Sequence, residues 1–138
     1  MATLEQDRTR RDLGMKRTLI LTSCVAWLLS SPSFAQEPRA GEQAFNNSCR
    51  TCHTVKEGDN RAGPSLHAII GRKAGTVPNF AYTDAMKSAD LVWDEDKLAR
   101  FIEDPEAMVS GNRMKPYTGV RSAEDRAKIV AFLKSAAQ

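Results

Sequence analysis

Two cysteines and a histidine stand close together in the segment NNSCRTCHTV, where two residues separate Cys49 from Cys52 and His53 follows at once. Three chemistries use thiols at this spacing: a redox-active dithiol, half of a zinc site, and covalent attachment of a haem. In the third, the adjacent histidine supplies an iron ligand directly beside the points of attachment. The residues elsewhere in the chain indicate which of these three chemistries applies.

The zinc and dithiol interpretations find little support elsewhere in the sequence. A closed zinc site needs four ligands, and beyond Cys49, Cys52 and His53 the only other cysteine or histidine of residues 36–138 is His67, at a spacing unlike the usual finger patterns. A redox dithiol normally opens a helix after a strand, whereas this motif follows a helical pattern and no strand is predicted. The sequence favours haem attachment, with the other two sites as alternatives.

A haem that only carries electrons also needs a second axial ligand, and a methionine thioether opposite a histidine raises the potential of the iron. The candidates are Met86, Met108 and Met114. Met114 lies in the loop sequence GNRMKPY, shaped by a glycine and a proline, whereas the other two fall in or near predicted helices, where methionine commonly fills core space. We therefore predict that His53 and Met114 ligate the iron.

The first 35 residues have the pattern of a secretory signal peptide. From Met15 the chain has a basic start, an apolar run through Leu29 and small residues up to Ala35. We expect translation to start at Met15, cleavage after Ala35 and export to a bacterial periplasm. A retained membrane anchor is the alternative, although the run is shorter than the roughly 20 residues that span a bilayer.

Residues 36–138 are predicted to form one domain of near-neutral charge. They hold 15 of the 20 basic side chains and 14 of the 17 acidic ones, a net charge of +1, which removes the main support for nucleic-acid binding. A bridge between Cys49 and Cys52 would close only a very short loop, so a disulfide scaffold is not indicated. About a hundred residues form a small core, which a buried cofactor would enlarge.

Helical periodicity and capping signals predict an all-α fold with long loops. The expected helices are one at about residues 38–48, a short one capped by Thr83, one opened by Asp94 and stopped by Pro105, and a last one capped by Ser122. Residues 61–80 and 107–120 carry glycine and proline at short intervals and are predicted to be loops. Loops of this length in a small domain are usually functional.

With these residues in place, the sequence resembles the class I c-type cytochromes, especially the cytochrome c2 and mitochondrial cytochrome c group. The likeness covers residues 38–135, with CRTCH, GPSLHAIIGRKAG, FAYTDAMKSADLVW and GNRMKPYTGV in the family's order. It implies the cytochrome c fold around one covalent haem c, with the first and last helices crossing at Gly41. It also implies an electron carrier and not an enzyme.

The resemblance also implies roles for residues around the haem. Pro64 matches the family proline beside the proximal ligand, whose carbonyl accepts the ring proton of His53 and fixes its tautomer. Arg72, Tyr82 and Trp93 match residues that surround the haem propionates. These residues are therefore predicted to bind the cofactor.

Three positions near Met114 differ from the mitochondrial proteins. Met86 replaces an asparagine and Phe101 a tyrosine, while Asn112, which we place among the haem-binding residues, replaces a threonine. We expect a drier pocket on this side, and the joint removal of paired polar groups can be nearly neutral for stability.

The expected partners are redox proteins, namely a reductase and an oxidase or dehydrogenase. The protein itself is expected to be a monomer without stable membrane insertion after cleavage of the signal. Positions that are often basic in the mitochondrial proteins hold Glu106, Ala107 and Val120 here, so docking should respond weakly to salt. Two alternatives stay open: a haem enzyme or gas-binding protein with an open sixth site, and a cytochrome subunit of a larger oxidoreductase complex.

Overall fold

The structure is a computed structural model that describes residues 36–136. This part of the chain contains five helices, joined by loops: α1 (Gln36–Ser48), α2 (Asp84–Ser88), α3 (Glu95–Glu103), α4 (Pro105–Met108) and α5 (Ala123–Ser135). The β-pairing in the same part is one isolated bridge between Lys73 and Val92, so the all-α prediction is confirmed. The predicted signal peptide lies outside the described residues.

The predicted helix starts are found where short polar side chains precede them. Thr83 accepts a hydrogen bond from the backbone N–H of Met86 at 3.3 Å, and Asp94 accepts one from Lys97 at 2.7 Å. Ser122 caps α5 in the same way, accepting from a backbone N–H at 3.2 Å. Each cap satisfies one of the backbone donors that the first turn of a helix leaves without a partner.

The prediction of a continuous loop from residue 107 onward was wrong at its start. Pro105 ends α3 as expected, but it also begins α4, which includes Ala107 and Met108. Asp104 caps this short helix by accepting a hydrogen bond from the Ala107 N–H at 3.0 Å. A proline is well suited to the first helical position, because the N–H that it lacks has no intrahelical partner there.

The first and last helices cross at Gly41. A Cβ atom at this position would lie 2.6 Å from the carbonyl oxygen of Lys128 and 2.9 Å from Cβ of Phe132, so a larger residue would push α1 and α5 apart. Beside the crossing, the rings of Phe45 and Phe132 pack with centroids 5.3 Å apart. The close approach explains why the first helix contains a residue with poor helix propensity.

The core that supports the cavity described below is formed by α3 and α5. Leu98, Phe101 and Ile102 are buried on α3 and face the fully buried Ile129 and Leu133 of α5. An exposed ion pair between helices α3 and α5 adds to this packing. Between residues 36 and 136, none of the helices is both long enough and apolar enough to cross a membrane.

Candidate functional site

All nine residues predicted for the site line one apolar cavity of about 550 Å³. They are Cys49, Cys52, His53, Pro64, Arg72, Tyr82, Trp93, Asn112 and Met114. The volume falls in the range of cavities that hold a small-molecule cofactor. Residues that lie up to 65 positions apart in the sequence are thus brought together around one space.

The cysteine segment forms a tight turn at the end of α1. The backbone N–H groups of Cys52 and His53 both donate to the carbonyl oxygen of Cys49, at 3.1 and 2.9 Å. The carbonyl of Cys52 in turn accepts from the N–H of Gly63 at 2.8 Å. Main-chain hydrogen bonds therefore fix both thiols and the imidazole on the same wall of the cavity.

The hydrogen bond at His53 determines its tautomer. Its Nδ1 lies 2.8 Å from the carbonyl oxygen of Pro64, and because a carbonyl only accepts, Nδ1 carries the proton. Burial lowers the pKa of His53, although the bond to Pro64 opposes this effect, so the neutral ring is favoured. The other ring nitrogen, Nε2, therefore keeps a lone pair that can bind a metal.

Gly63 is a site residue that the sequence analysis missed. A side chain on Gly63 would overlap the ring of His53. The residue is buried between the histidine and the turn that leads to Pro64. The signal in the sequence was the pair Gly63-Pro64 near a cysteine motif, but its meaning depends on a ring position that only the fold reveals.

The two thiols do not have the environment of a redox dithiol. Burial, with a smaller contribution from Cys52, raises the pKa of Cys49 to about 11. Reactive cysteines of redox proteins have the opposite shift, because the thiolate is the nucleophile. Within residues 36–136, no group of three or more Cys, His, Asp or Glu side chains is placed to hold a metal ion, so the zinc interpretation gains no support.

The wall that contains Met114 is built by a loop. The side-chain oxygen of Asn112 accepts a hydrogen bond from the backbone N–H of Met114 at 2.9 Å, and its amide nitrogen donates to the carbonyl of Val109 at 2.8 Å. Arg113 donates to the carbonyl oxygen of Ala81 at 2.7 Å and ties the loop to the segment before α2. Asn112 thus shapes the backbone around Met114 with both ends of its side chain.

The structure narrows the choice of a thioether ligand. Met86 and Met114 both line the cavity, whereas Met108 lies outside its lining and packs partly buried against the core. Met86 packs against the core, as predicted, but it also lines the cavity. A test of ligation needs Met86 as a control, since this methionine also lines the cavity.

The residues predicted to surround the propionates form a third part of the wall. Arg72 donates from its guanidinium to the carbonyl oxygens of His67 at 2.7 Å and Ser65 at 3.0 Å. Burial lowers its pKa, and the neighbouring Tyr82 partly offsets this, but a guanidinium stays protonated in proteins. Trp93 is buried with its ring centroid 4.9 Å from that of Phe101. A fixed positive charge therefore lies at the cavity wall.

Tyr117 is a second residue that the sequence analysis missed. Its hydroxyl donates to the carbonyl oxygen of Ile102 at 2.7 Å, which joins the loop after Met114 to α3. Burial raises the pKa of Tyr117 to about 12. Two residues later, Gly119 has φ of +90° and no room for a side chain beside the backbone of Glu103, so the chain turns there next to α3.

The donor set fits a covalently held haem. Two thiols, one neutral imidazole with a free ring nitrogen and one or two thioethers open onto the same largely apolar cavity. Sulfur and imidazole ligands are those that haem iron takes in electron-transfer proteins. The arginine supplies a charge of the sign that carboxylate substituents require.

Comparison with known proteins agrees with this chemistry. The protein-family model described as "Cytochrome C oxidase, cbb3-type, subunit III" matches residues 36–133. Cytochrome c of Euglena viridis is 37% identical over 95 residues, which cover 69% of this chain and 92% of the relative. Cytochrome c2 of Rhodomicrobium vannielii is 39% identical over 124 residues, covering 86% and 95% of the two chains.

A further relative, cytochrome c2 iso-2 of Magnetospirillum fulvum, is 40% identical over 87 residues that cover 63% of this chain and 90% of the relative. These proteins are electron carriers and not enzymes, and each carries one covalently attached haem c with iron. The similarity extends over nearly the whole of each relative. The chain therefore belongs to the cytochrome c family, as a class I c-type cytochrome that carries electrons.

Proposed function

We propose that this protein is an exported monohaem cytochrome that passes single electrons between redox proteins through an iron held by His53 and Met114. The observation that carries the proposal is the cavity itself, which both of these side chains line together with Cys49 and Cys52. The four side chains come from two distant segments. This arrangement suits a cofactor attached at one segment and ligated from both.

When bound, the haem supplies a one-electron couple between ferric and ferrous iron. Cys49 and Cys52 would hold it through thioether bonds. His53 presents Nε2 because Pro64 accepts the proton of Nδ1 at 2.8 Å. The thioether of Met114 would be the second ligand of the iron and would exclude other ligands.

The protein's own residues keep the surroundings of the iron constant while its charge changes. The imidazole and Arg72 are held by hydrogen bonds to main-chain carbonyls, and the backbone of Met114 is held by the side chain of Asn112. Preorganised dipoles of this kind need little rearrangement when one electron arrives or leaves. No covalent bond is made or broken during the transfer, so the protein acts as a carrier.

Charges near the cavity mouth support docking that depends weakly on salt. Lys115 is exposed, and its Nζ lies 3.6 Å from the Glu106 carboxylate, while Arg113 donates to a backbone carbonyl. A basic side chain that is already paired contributes less to long-range attraction. We propose that the partners are redox proteins of the bacterial periplasm, reached after cleavage at Ala35, and that the carrier is a monomer.

A second candidate is favoured by the description of the matching family model, which names a subunit of an oxidase. In that case the same electron-transfer chemistry would occur in a permanent complex. Size-exclusion chromatography of native extract with haem staining separates the two. Haem-stained protein eluting at the size of a single chain supports the free carrier, and elution only with larger proteins supports the subunit.

Carbon monoxide binding tests the proposed ligation. The ferrous wild-type protein should bind carbon monoxide slowly and weakly, because Met114 has to leave the iron first. Met114→Ala should bind it rapidly, whereas Met86→Leu, within the same cavity, and Met108→Leu, outside it, should behave as wild type. Rapid binding by the wild-type protein would contradict the proposal and favour a haem protein with an open sixth site.

A further inference from the structure

The carboxylate of Glu106 gathers the loop that carries Met114, here called the 110–115 loop. One oxygen, Oε1, accepts hydrogen bonds from the Ser110 hydroxyl at 2.9 Å and from the Gly111 backbone N–H at 3.0 Å. The other, Oε2, accepts from the Asn112 side-chain amide at 3.2 Å and lies 3.6 Å from Lys115 Nζ. One side chain therefore contacts four of the six residues of the loop.

These contacts continue to the backbone of Met114. The Asn112 amide that donates to Glu106 also accepts, through Oδ1, the Met114 N–H at 2.9 Å. In the chain between Glu106 and Asn112, Gly111 has φ of +83°, a conformation that other residues rarely adopt. The connection from the carboxylate to the methionine backbone thus has two hydrogen bonds and passes through one buried side chain.

Glu106 is itself held on a defined element. It lies in α4, which begins at the buried Pro105 and is capped by Asp104. The Gly111 N–H, and next the Ser110 hydroxyl, hold the pKa of Glu106 below its usual value of 4.5. The carboxylate is therefore ionised at neutral pH and accepts all of its hydrogen bonds as a charged group, which makes them stronger than neutral ones.

We propose that Glu106 is a positioning residue that keeps the 110–115 loop closed and thereby holds Met114 on the iron. This inference rests on the ligation by Met114 proposed above. Glu106 does not line the main cavity, so it acts through the loop. Its loss should increase the fraction of molecules in which the methionine is displaced.

Imidazole added to the ferric holoprotein measures that fraction. It can occupy the iron only when Met114 has left, so its apparent affinity scales with the population of the open loop. Glu106→Ala should bind imidazole about three- to tenfold more tightly than wild type at neutral pH. The imidazole affinity of Glu106→Gln should fall between those of wild type and Glu106→Ala. The glutamine amide keeps an oxygen that can accept from the Gly111 N–H, but it lacks the negative charge that pairs with Lys115.

Two control variants separate positioning from other effects. Glu124→Gln makes the same change of charge on α5, where the carboxylate pairs with Lys128, and should bind imidazole as wild type does. Glu95→Gln removes a pair with Lys134 that joins α3 to α5 and tests for a general loss of stability. If either control tightens imidazole binding as much as Glu106→Ala, the positioning role is wrong.

The same titration of Met114→Ala distinguishes the two proposals. Tighter binding by Met114→Ala together with tighter binding by Glu106→Ala supports both. Tighter binding by Met114→Ala with wild-type affinity in Glu106→Ala overturns the positioning role alone. Wild-type affinity in Met114→Ala would show that the methionine does not ligate the iron, and both proposals would then fail.

Discussion

The two walls of the cavity that provide the iron ligands are held by different kinds of contact. On the wall of His53, main-chain hydrogen bonds join the two cysteines, the histidine and Gly63. The buried imidazole adds one hydrogen bond to the carbonyl oxygen of Pro64. On the wall of Met114, the loop is held mainly by side chains, and Glu106 is largely exposed. The first wall is therefore fixed mainly through its backbone, whereas the second depends on side chains that are partly exposed to solvent.

This difference predicts which ligand leaves first. Hydrogen bonds made by exposed side chains contribute less than buried ones, because water competes for the same groups. Regions held by such contacts open at a lower free-energy cost than the core. The Met114 wall should therefore open while the His53 wall stays intact, and substitutions in the two walls should have different consequences.

The largest effect is expected from Gly63→Ala in the His53 wall. The added methyl group overlaps the buried imidazole, so the ring or the backbone has to move. Overpacking of this kind costs about 1–3 kcal/mol, which corresponds to a melting temperature lower by roughly 4–8 °C for each kcal/mol. Thermal unfolding of the holoprotein, followed by circular dichroism, measures the change.

Ala62→Ser is the matched control for this substitution, since it adds one heavy atom at the preceding, exposed position. It should melt as wild type does. A wild-type melting temperature for Gly63→Ala would show that the His53 wall is not tightly fixed, and the contrast between the walls would disappear.

A smaller effect, confined to the other wall, is expected from Asn112→Ala. This change removes a buried amide and leaves the Met114 N–H without its acceptor, at a cost of about 0.5–1.5 kcal/mol, because water can reach this half-buried residue. Because the loop opens while the core stays folded, imidazole binding should tighten in Asn112→Ala but not in Glu95→Gln, which loses a contact between α3 and α5. Equal tightening in both variants would mean that the loop does not open separately from the core.

The smallest effect is expected from pH. The pKa of Glu106 is lowered in the folded protein, so its contribution is fully present above its ordinary value of 4.5 and is lost as the pH falls through the lower folded value. The temperature at which methionine ligation is lost should differ between wild type and Glu106→Gln at neutral pH, and this difference should shrink in acid. A difference that persists at low pH would contradict the assignment.

Much of the fold could be predicted because short-range chemistry determines it. Thr83, Asp94 and Ser122 act within three residues of their partners, and the cysteine motif with His53 is contiguous. The short helix α4 was not predicted, because the stop signal at Pro105 also serves as a start. A proline that ends one helix can also begin the next, and the residues around Pro105 do not decide between these two outcomes.

The candidate site was less predictable where its contacts span the fold. The position of Gly63 against His53 and that of Tyr117 against Ile102 depend on how loops pack. The sequence identified Glu106 only as an acidic residue at a position that is often basic. Its hydrogen bonds to the 110–115 loop were not predicted, because they depend on the geometry of α4. The residue types were visible in the sequence, but their partners were not.

The most direct test of the central claim, ligation by His53 and Met114, is the weak near-infrared charge-transfer band of the ferric protein, which reports a methionine on haem iron. The band should be present in wild type, Met86→Leu and Met108→Leu and absent from Met114→Ala. A band that survives in Met114→Ala and disappears in Met86→Leu would contradict the account, because the other thioether of the cavity would then be the ligand.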